Sequence, residues 1–405
     1  MAMAETQMQA DRRRAGLVLG ACSGVHAVQD GLSSTVNVLL PILAQSLGLS
    51  YAQVGVVKAA NLVAMGVLEI PSGFMSERWG ARILLAFGLA VVGLGYLWLA
   101  QAAGFSTVLF SLSLAGVGAA FQHTLSSAVI AAAFEGPGRR PALGTYNAAG
   151  DVGKLAMTGL FTLLIGLGVG WRAVTFGYGV IGIVLAILVI VLLTRAAIGG
   201  PPRRLDPGET AAQPLGWGLR SRRAFMGLTA INFLDTMVQS GFLTFVAFLM
   251  IERGAPLGLA GLAVVLTLAG GVVGKFCCGF LARRMGIVPS LVLVEVLTVA
   301  SILAVVAAPI ETAYLLLPLL GVFLQGSSSI TYATVADIFD GARQARGFSL
   351  IYTTSTIAAI VAALAFGLIS ETFGLEATML TMAGLIAATL VICPALGRGL
   401  AEAGA

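Results

Sequence analysis

Four polar residues, His26, Asp30, Ser33 and Asn37, stand at i, i+4, i+7 and i+11 within an otherwise apolar run. In a helix that spacing puts them on one face. Asp30 lies near the middle of the run. A carboxyl in apolar surroundings loses solvation when it is charged, so it could take up and release a proton. His26, one turn away, could hydrogen-bond it and share the charge. The alternative is a polar pair that only seals a helix contact. The pattern returns at Asn147, Asp151, Lys154 and Thr158. There Asp151 and Lys154, at i and i+3, can neutralise each other, which lowers the cost of burying both. Such a pair is either structural or opens when a proton or charged substrate arrives. A third face carries Asn232, Asp235 and Gln239, with Asp235 the candidate of the second half. Proton coupling is therefore expected at Asp30, Asp235, Asp151 and Glu69.

All three lysines, Lys58, Lys154 and Lys275, lie inside apolar runs, whereas every arginine lies in a loop or at the end of a run. A buried Lys changes protonation readily and Arg does not, so the split suggests two jobs. A charge in mid-membrane costs ~3 kcal/mol or more, which marks each one as a functional candidate. A polar stretch, Phe121-Gln122-His123-Thr124-Leu125-Ser126-Ser127, has a counterpart in Gln325-Gly326-Ser327-Ser328-Ser329, followed by Tyr332. Substrate contacts are expected from His26, Asn37, Gln122, His123, Asn147, Lys154, Asn232, Gln239, Gln325 and Tyr352. Lys58 and Glu69 share a face but stand ~16 Å apart at ~1.5 Å per residue, too far to pair. Lys275 and Glu295 could form a structural cross-helix pair.

The elements that position these residues are membrane spans. Apolar residues make up 58% of the 405 and charged residues only 10%, against about 25% charged in soluble domains. Twelve apolar runs are long enough to cross a ~30 Å hydrocarbon core: 16–43, 51–76, 82–101, 105–133, 141–168, 172–195, 224–250, 258–282, 287–308, 313–338, 346–370 and 375–397. With these spans the arginines fall on alternate loops, and the opposite side has only Arg172 and Arg253. The positive-inside rule then makes both termini cytoplasmic. The basic balance of +5 reports topology and no nucleic-acid partner. The four cysteines, Cys22, Cys277, Cys278 and Cys393, lack metal-ligand spacing and read as small apolar residues. Leu19-Gly20-Ala21-Cys22 mimics a lipoprotein cleavage site, but the apolar stretch before it is too short and the run continues past it.

One loop occurs twice. Gly73-Phe74-Met75-Ser76-Glu77-Arg78-Trp79-Gly80-Ala81-Arg82 follows the second span, and Gly279-Phe280-Leu281-Ala282-Arg283-Arg284-Met285-Gly286 follows the eighth. Gly116-Val117 to Phe134-Glu135 likewise parallels Gly321-Val322 to Phe339-Asp340. The chain is a doubled one, and the loop resembles the signature loop of the major facilitator superfamily of secondary transporters. Glu77 stands where that family usually has Asp, and Arg283 occupies the acid position of the second copy. The resemblance implies an all-α membrane protein, with twelve transmembrane helices in two pseudo-symmetric six-helix bundles. The bounds are a disordered tail 1–14, bundles 15–195 and 224–398, a cytoplasmic linker 196–223 and a tail 399–405. It implies a cytoplasmic gate at Gly73, Glu77, Arg78, Gly80, Arg82, Gly279, Arg283 and Gly286. The glycines would allow a tight turn and close helix approach, and the acid a latch against a helix end or an Arg.

A narrower resemblance is to the fosmidomycin-resistance branch. His26-x-x-Gln29-Asp30 is similar to its His-x-x-Asn-Asp element. Phe121, Ser126 and Ser127 match its Phe-His-Pro-Glu-Ser-Ser element, with Gln122 inserted before His123 and with Thr124 and Leu125 in place of Pro and Glu. It implies proton-coupled export of small, often anionic compounds across the inner membrane by alternating access. Proton-coupled uptake of a small organic anion, held by Lys58 or Lys154, is the alternative. The partners expected are the substrate, protons and the lipid bilayer, for a monomer with no cofactor or metal and the proton gradient as energy source. A membrane enzyme would need a nucleophile–base set or metal motif, and ATP coupling a Walker loop; none occurs here. A passive pore has no need of two matching halves.

Overall fold

Inside hydrocarbon a backbone can satisfy its polar groups only internally, so each apolar run becomes a helix. The computed structural model describes residues 2–134, 138–195, 198–200, 218–339 and 344–403. Its elements are α1 (Ala2–Leu47), α2 (Tyr51–Trp79), α3 (Ala81–Leu99), α4 (Phe105–Ala119), α5 (His123–Ala133), α6 (Arg139–Gly166), α7 (Trp171–Arg195), α8 (Arg222–Glu252), α9 (Leu257–Met285), α10 (Ile287–Ala307), α11 (Ile310–Ile338) and α12 (Gln344–Ala403). These do not map one to one onto the expected spans. The fourth span is broken into α4 and α5. The last two spans are joined in α12, interrupted at Gly374 with φ 86° and ψ 169°. The apolar part of α12 has 56 residues, or ~84 Å of helix at ~1.5 Å per residue, too long for one crossing of a ~30 Å core. It therefore crosses twice, turning at Gly374. The first helix begins at Ala2, so the stretch expected as a disordered tail continues it. Most of the expected linker, 201–217, lies outside the described residues.

The chain forms two compact units, Met1–Leu39 with Ala60–Thr210, and Leu40–Ala59 with Ala211–Ala405. The division departs from the expected bundles in placing Leu40–Ala59 in the second unit. Packing explains it. A methyl at Gly55 of α2 would overlap the Ala363 backbone of α12, and Tyr51 meets Phe248 of α8 edge-on with ring centroids 5.5 Å apart. In the first unit α3 packs on α4 and α7; in the second α12 packs on α8, and α11 on α9 and α10. Small residues let such helices approach closely in lipid. One contact recurs in both units: Gly116 of α4 abuts Asn61 of α2, and Gly321 of α11 abuts Thr267 of α9. The doubled sequence is thus a doubled packing scheme. Phe134 and Phe339 likewise end α5 and α11 in extended conformation.

The repeated loop has one conformation twice. Gly80 turns α2 into α3 at φ 80°, and Gly286 turns α9 into α10 at φ 85°, a region that side chains disfavour. The first glycine of each copy behaves otherwise. Gly73 has open space around it, and Gly279 has only Ser329 at 4.0 Å, so neither serves close helix approach. Glu77 and Arg78 are exposed, and neither enters an ion pair among the described residues, so Glu77 has no Arg partner there. Arg283 and Arg284 lie against the Phe280 ring at 5.6 and 4.7 Å, which gives the cation in the acid position a partner. The two arginines of the sparse side cap helix ends. Arg172 donates to Ala102 O at 2.8 Å just past α3, and Arg253 donates to Val305 O at 2.8 Å and to Val306 O at the end of α10. All four cysteines are free, and all but Cys277 are buried.

Candidate functional site

Asp30 is where the first unit converges. Its side chain is 7% exposed and three basic groups reach it. Lys154 Nζ of α6 lies 3.0 Å from Oδ2, His26 Nε2 lies 3.2 Å from Oδ2, and His123 Nε2 lies 3.4 Å from Oδ1. Lys154 also reaches Asp151 Oδ1 at 3.4 Å. The His26–Asp30 and Asp151–Lys154 pairs expected from spacing are present, and Lys154 joins them into one network.

Local structure explains the convergence. Gly150 and Gly153 of α6 face α1: a methyl at Gly150 would strike the His26 ring, and one at Gly153 would overlap the Ala27 backbone. Only with both glycines can α6 come close enough for Lys154 to reach Asp30. His123 arrives by the break in the fourth span. The turn Ala120–Gln122 is closed by i→i−3 bonds, Phe121 N to Gly118 O at 3.4 Å and Gln122 N to Ala119 O at 3.3 Å, and His123 is the first residue of α5. Sequence reasoning missed Tyr146, whose ring stacks on His26 with centroids 4.1 Å apart and whose hydroxyl accepts from Gln122 Nε2 at 2.8 Å. Its signal was its place one turn before Gly150 on α6.

The hydrogen bonds around His26 decide where a proton sits. Nδ1 lies 2.8 Å from Tyr146 O, a carbonyl that can only accept, so Nδ1 carries a hydrogen. Nε2 then faces a carboxylate oxygen at 3.2 Å. Two lone pairs would repel there, so the contact needs a proton, on Nε2 or on the carboxyl. His26, Asp30 and His123 offer ligand atoms within 4.8 Å of one another and could in principle hold a metal ion. However, the Lys154 ammonium already neutralises the carboxylate, and the set suits a proton better than a divalent cation. Two of the three bases are accessible, with side-chain exposure of 47% for His123 and 35% for Lys154, whereas His26 is 6% exposed.

The second unit holds a different arrangement. Asp235 is buried on α8, and its Oδ2 accepts from Ser327 Oγ at 2.5 Å and from Gln239 Nε2 at 3.1 Å. Asn232 donates to Ser355 Oγ at 2.9 Å. Gln325 packs on Gly271 with its Nε2 buried and unpartnered. The expected Lys275–Glu295 pair is not formed, because neither Glu295 oxygen has a hydrogen-bond partner among the described residues. Of the remaining expected residues, Asn37 and Lys58 are buried, Asn147 is exposed and Glu69 is half-buried. Tyr352 is 54% exposed beside Tyr332. None of these five belongs to the Asp30 contacts described above.

The family model of the Major Facilitator Superfamily matches residues 23–231 and 228–399. The chain is 26% identical over 374 residues to the uncharacterized MFS-type transporter YfnC of Bacillus subtilis (strain 168), covering 91% of this chain and 89% of that one. It is 28% identical over 112 residues to the fosmidomycin resistance protein of Escherichia coli (strain K12), 28% of each chain. Among solved structures, a bacterial homolog of the human lysosomal transporter Spinster, inward-facing and unoccupied, superposes with a TM-score of 0.81 at 16% identity, covering 96% of this chain and 98% of that one.

Proposed function

The chain belongs to the Major Facilitator Superfamily, and on that premise we propose that it is a proton-coupled exporter of a small organic molecule in the inner membrane, with both termini cytoplasmic. It is a multi-pass secondary carrier, not an enzyme. The observation that carries the coupling is the His26–Asp30 contact, which needs a proton while Nδ1 is committed to the Tyr146 carbonyl. Loss of that proton would leave a lone-pair clash at 3.2 Å, with Asp30 held by Lys154 and His123 alone. Protonation is thereby tied to the arrangement of α1, α5 and α6, and a carrier couples by making one ligand change the preference for another. Export is favoured by the short match to the fosmidomycin resistance protein and by the resemblance of His26, Asp30, Phe121, Ser126 and Ser127 to the elements of that branch.

A second reading is uptake of a small organic anion. It is supported by the exposure of His123 and Lys154 beside a shielded carboxylate, which turns the positive side of the cluster outward. A growth screen of an expressing strain against antibiotics and carbon sources identifies the cargo. Membrane vesicles with an imposed pH gradient then test coupling. Wild type is expected to move cargo against its gradient, and Asp30→Asn to lose pH-driven transport while keeping part of its cargo exchange. Unchanged pH-driven transport in Asp30→Asn refutes the coupling role of Asp30, and purely downhill flux indifferent to pH refutes proton coupling and favours a passive route.

A further inference from the structure

The second unit contains three buried carboxylate oxygens without a hydrogen-bond partner among the described residues. Glu295 of α10 is 0% exposed, and among the described residues neither of its oxygens has a hydrogen-bond partner; Asp235 Oδ1 of α8 is likewise buried with no such partner. Both acids border one packed cluster: Ile231, one turn before Asp235 on α8, and Val294, next to Glu295 on α10, belong to it. Among the described residues, the titratable members of that cluster are thiols, Cys278 of α9 and Cys393 of α12, which supply no positive charge. Lys275 of α9 has contacts of its own and does not hydrogen-bond Glu295. The surroundings are apolar: Ile231, Leu291, Val294, Leu396 and the two thiols belong to one packed cluster.

We propose that Asp235 and Glu295 form a second proton-binding site, confined to the second unit, in which Glu295 holds the proton as a neutral acid. A bare carboxylate buried with no protein donor would cost several kcal/mol or more. Two like charges buried beside one apolar cluster raise that cost further. The asymmetry places the proton. Asp235 has two donors on Oδ2, Ser327 and Gln239, which steady a negative charge. Glu295 has none. The ligand is the proton itself, since it needs no coordination shell, whereas a sodium ion would need several convergent oxygens. This site uses no residue of the Asp30 cluster, and its test does not require cargo.

The test is infrared difference spectroscopy of the full-length protein in lipid at neutral pH, reading the carbonyl stretch of a protonated carboxyl. Wild type is expected to show that band, with a shift in deuterium oxide. Glu295→Gln is expected to lose it, Asp235→Asn to shift it through the altered neighbour, and Asp30→Asn to leave it in place. If Glu295→Gln does not fold, Glu295→Asp is expected to move the band. Absence of the band in wild type, a band indifferent to both Glu295 variants, or its removal by sodium ions each overturns the proposal. A band that persists when Asp30→Asn abolishes pH-driven transport separates the two sites.

Discussion

Replacing Lys154 with Met keeps most of the side-chain volume and removes the ammonium that lies 3.0 Å from Asp30 and 3.4 Å from Asp151. Asp30 is then left with two imidazoles in a site where its side chain is 7% exposed. Breaking a buried ion pair costs ~3–5 kcal/mol when the remaining charge has no other partner. Here the loss is reduced, because His26 and His123 remain and Lys154 itself is 35% exposed. About 2–3 kcal/mol is expected, which in a folding unit of this size lowers the unfolding midpoint by roughly 5–10 °C. Adding Asp30→Asn removes the stranded charge, so the double variant is expected to be more stable than Lys154→Met alone. The assay is thermal unfolding of the purified protein in one detergent at one scan rate, read as a double-mutant cycle. An unchanged midpoint in Lys154→Met, or additive losses in the double variant, would refute the idea that the lysine is there to hold the Asp30 charge.

Two further expectations concern glycines. Gly153→Ala would drive a methyl into the Ala27 backbone and is expected to cost ~1–3 kcal/mol, whereas Gly73→Ala, in open space, is expected to be neutral or slightly stabilising by thermal unfolding; equal effects would show that α1 and α6 do not meet as described. Gly80→Ala and Gly286→Ala force an L side chain to φ near 80° and 85°. Each is expected to lose ~1–3 kcal/mol, and midpoints unchanged in both would mean that the repeated turn is not glycine-dependent.

Much of the architecture follows from the order of residues alone. Composition, run lengths and arginine placement point to a multi-pass helical membrane protein, because hydrocarbon leaves the backbone little choice. The duplicated loop announces a doubled chain, and Gly80 and Gly286 turn out to be its matching hinges in conformation. Helical spacing also finds the pairs within one helix, His26 with Asp30 and Asp151 with Lys154, since i+3 and i+4 neighbours meet wherever the helix goes. Contacts between helices are another matter. That Lys154 prefers Asp30, that His123 enters through a broken span and that Tyr146 holds the far nitrogen of His26 depend on how closely backbones approach. The same limit explains the failed pairing of Lys275 with Glu295 and the glycines of the first loop position, which lie against little or nothing. Periodicity specifies which face a residue occupies. Which other helix meets that face is set by the packing of small residues across the unit, and only the folded chain expresses it.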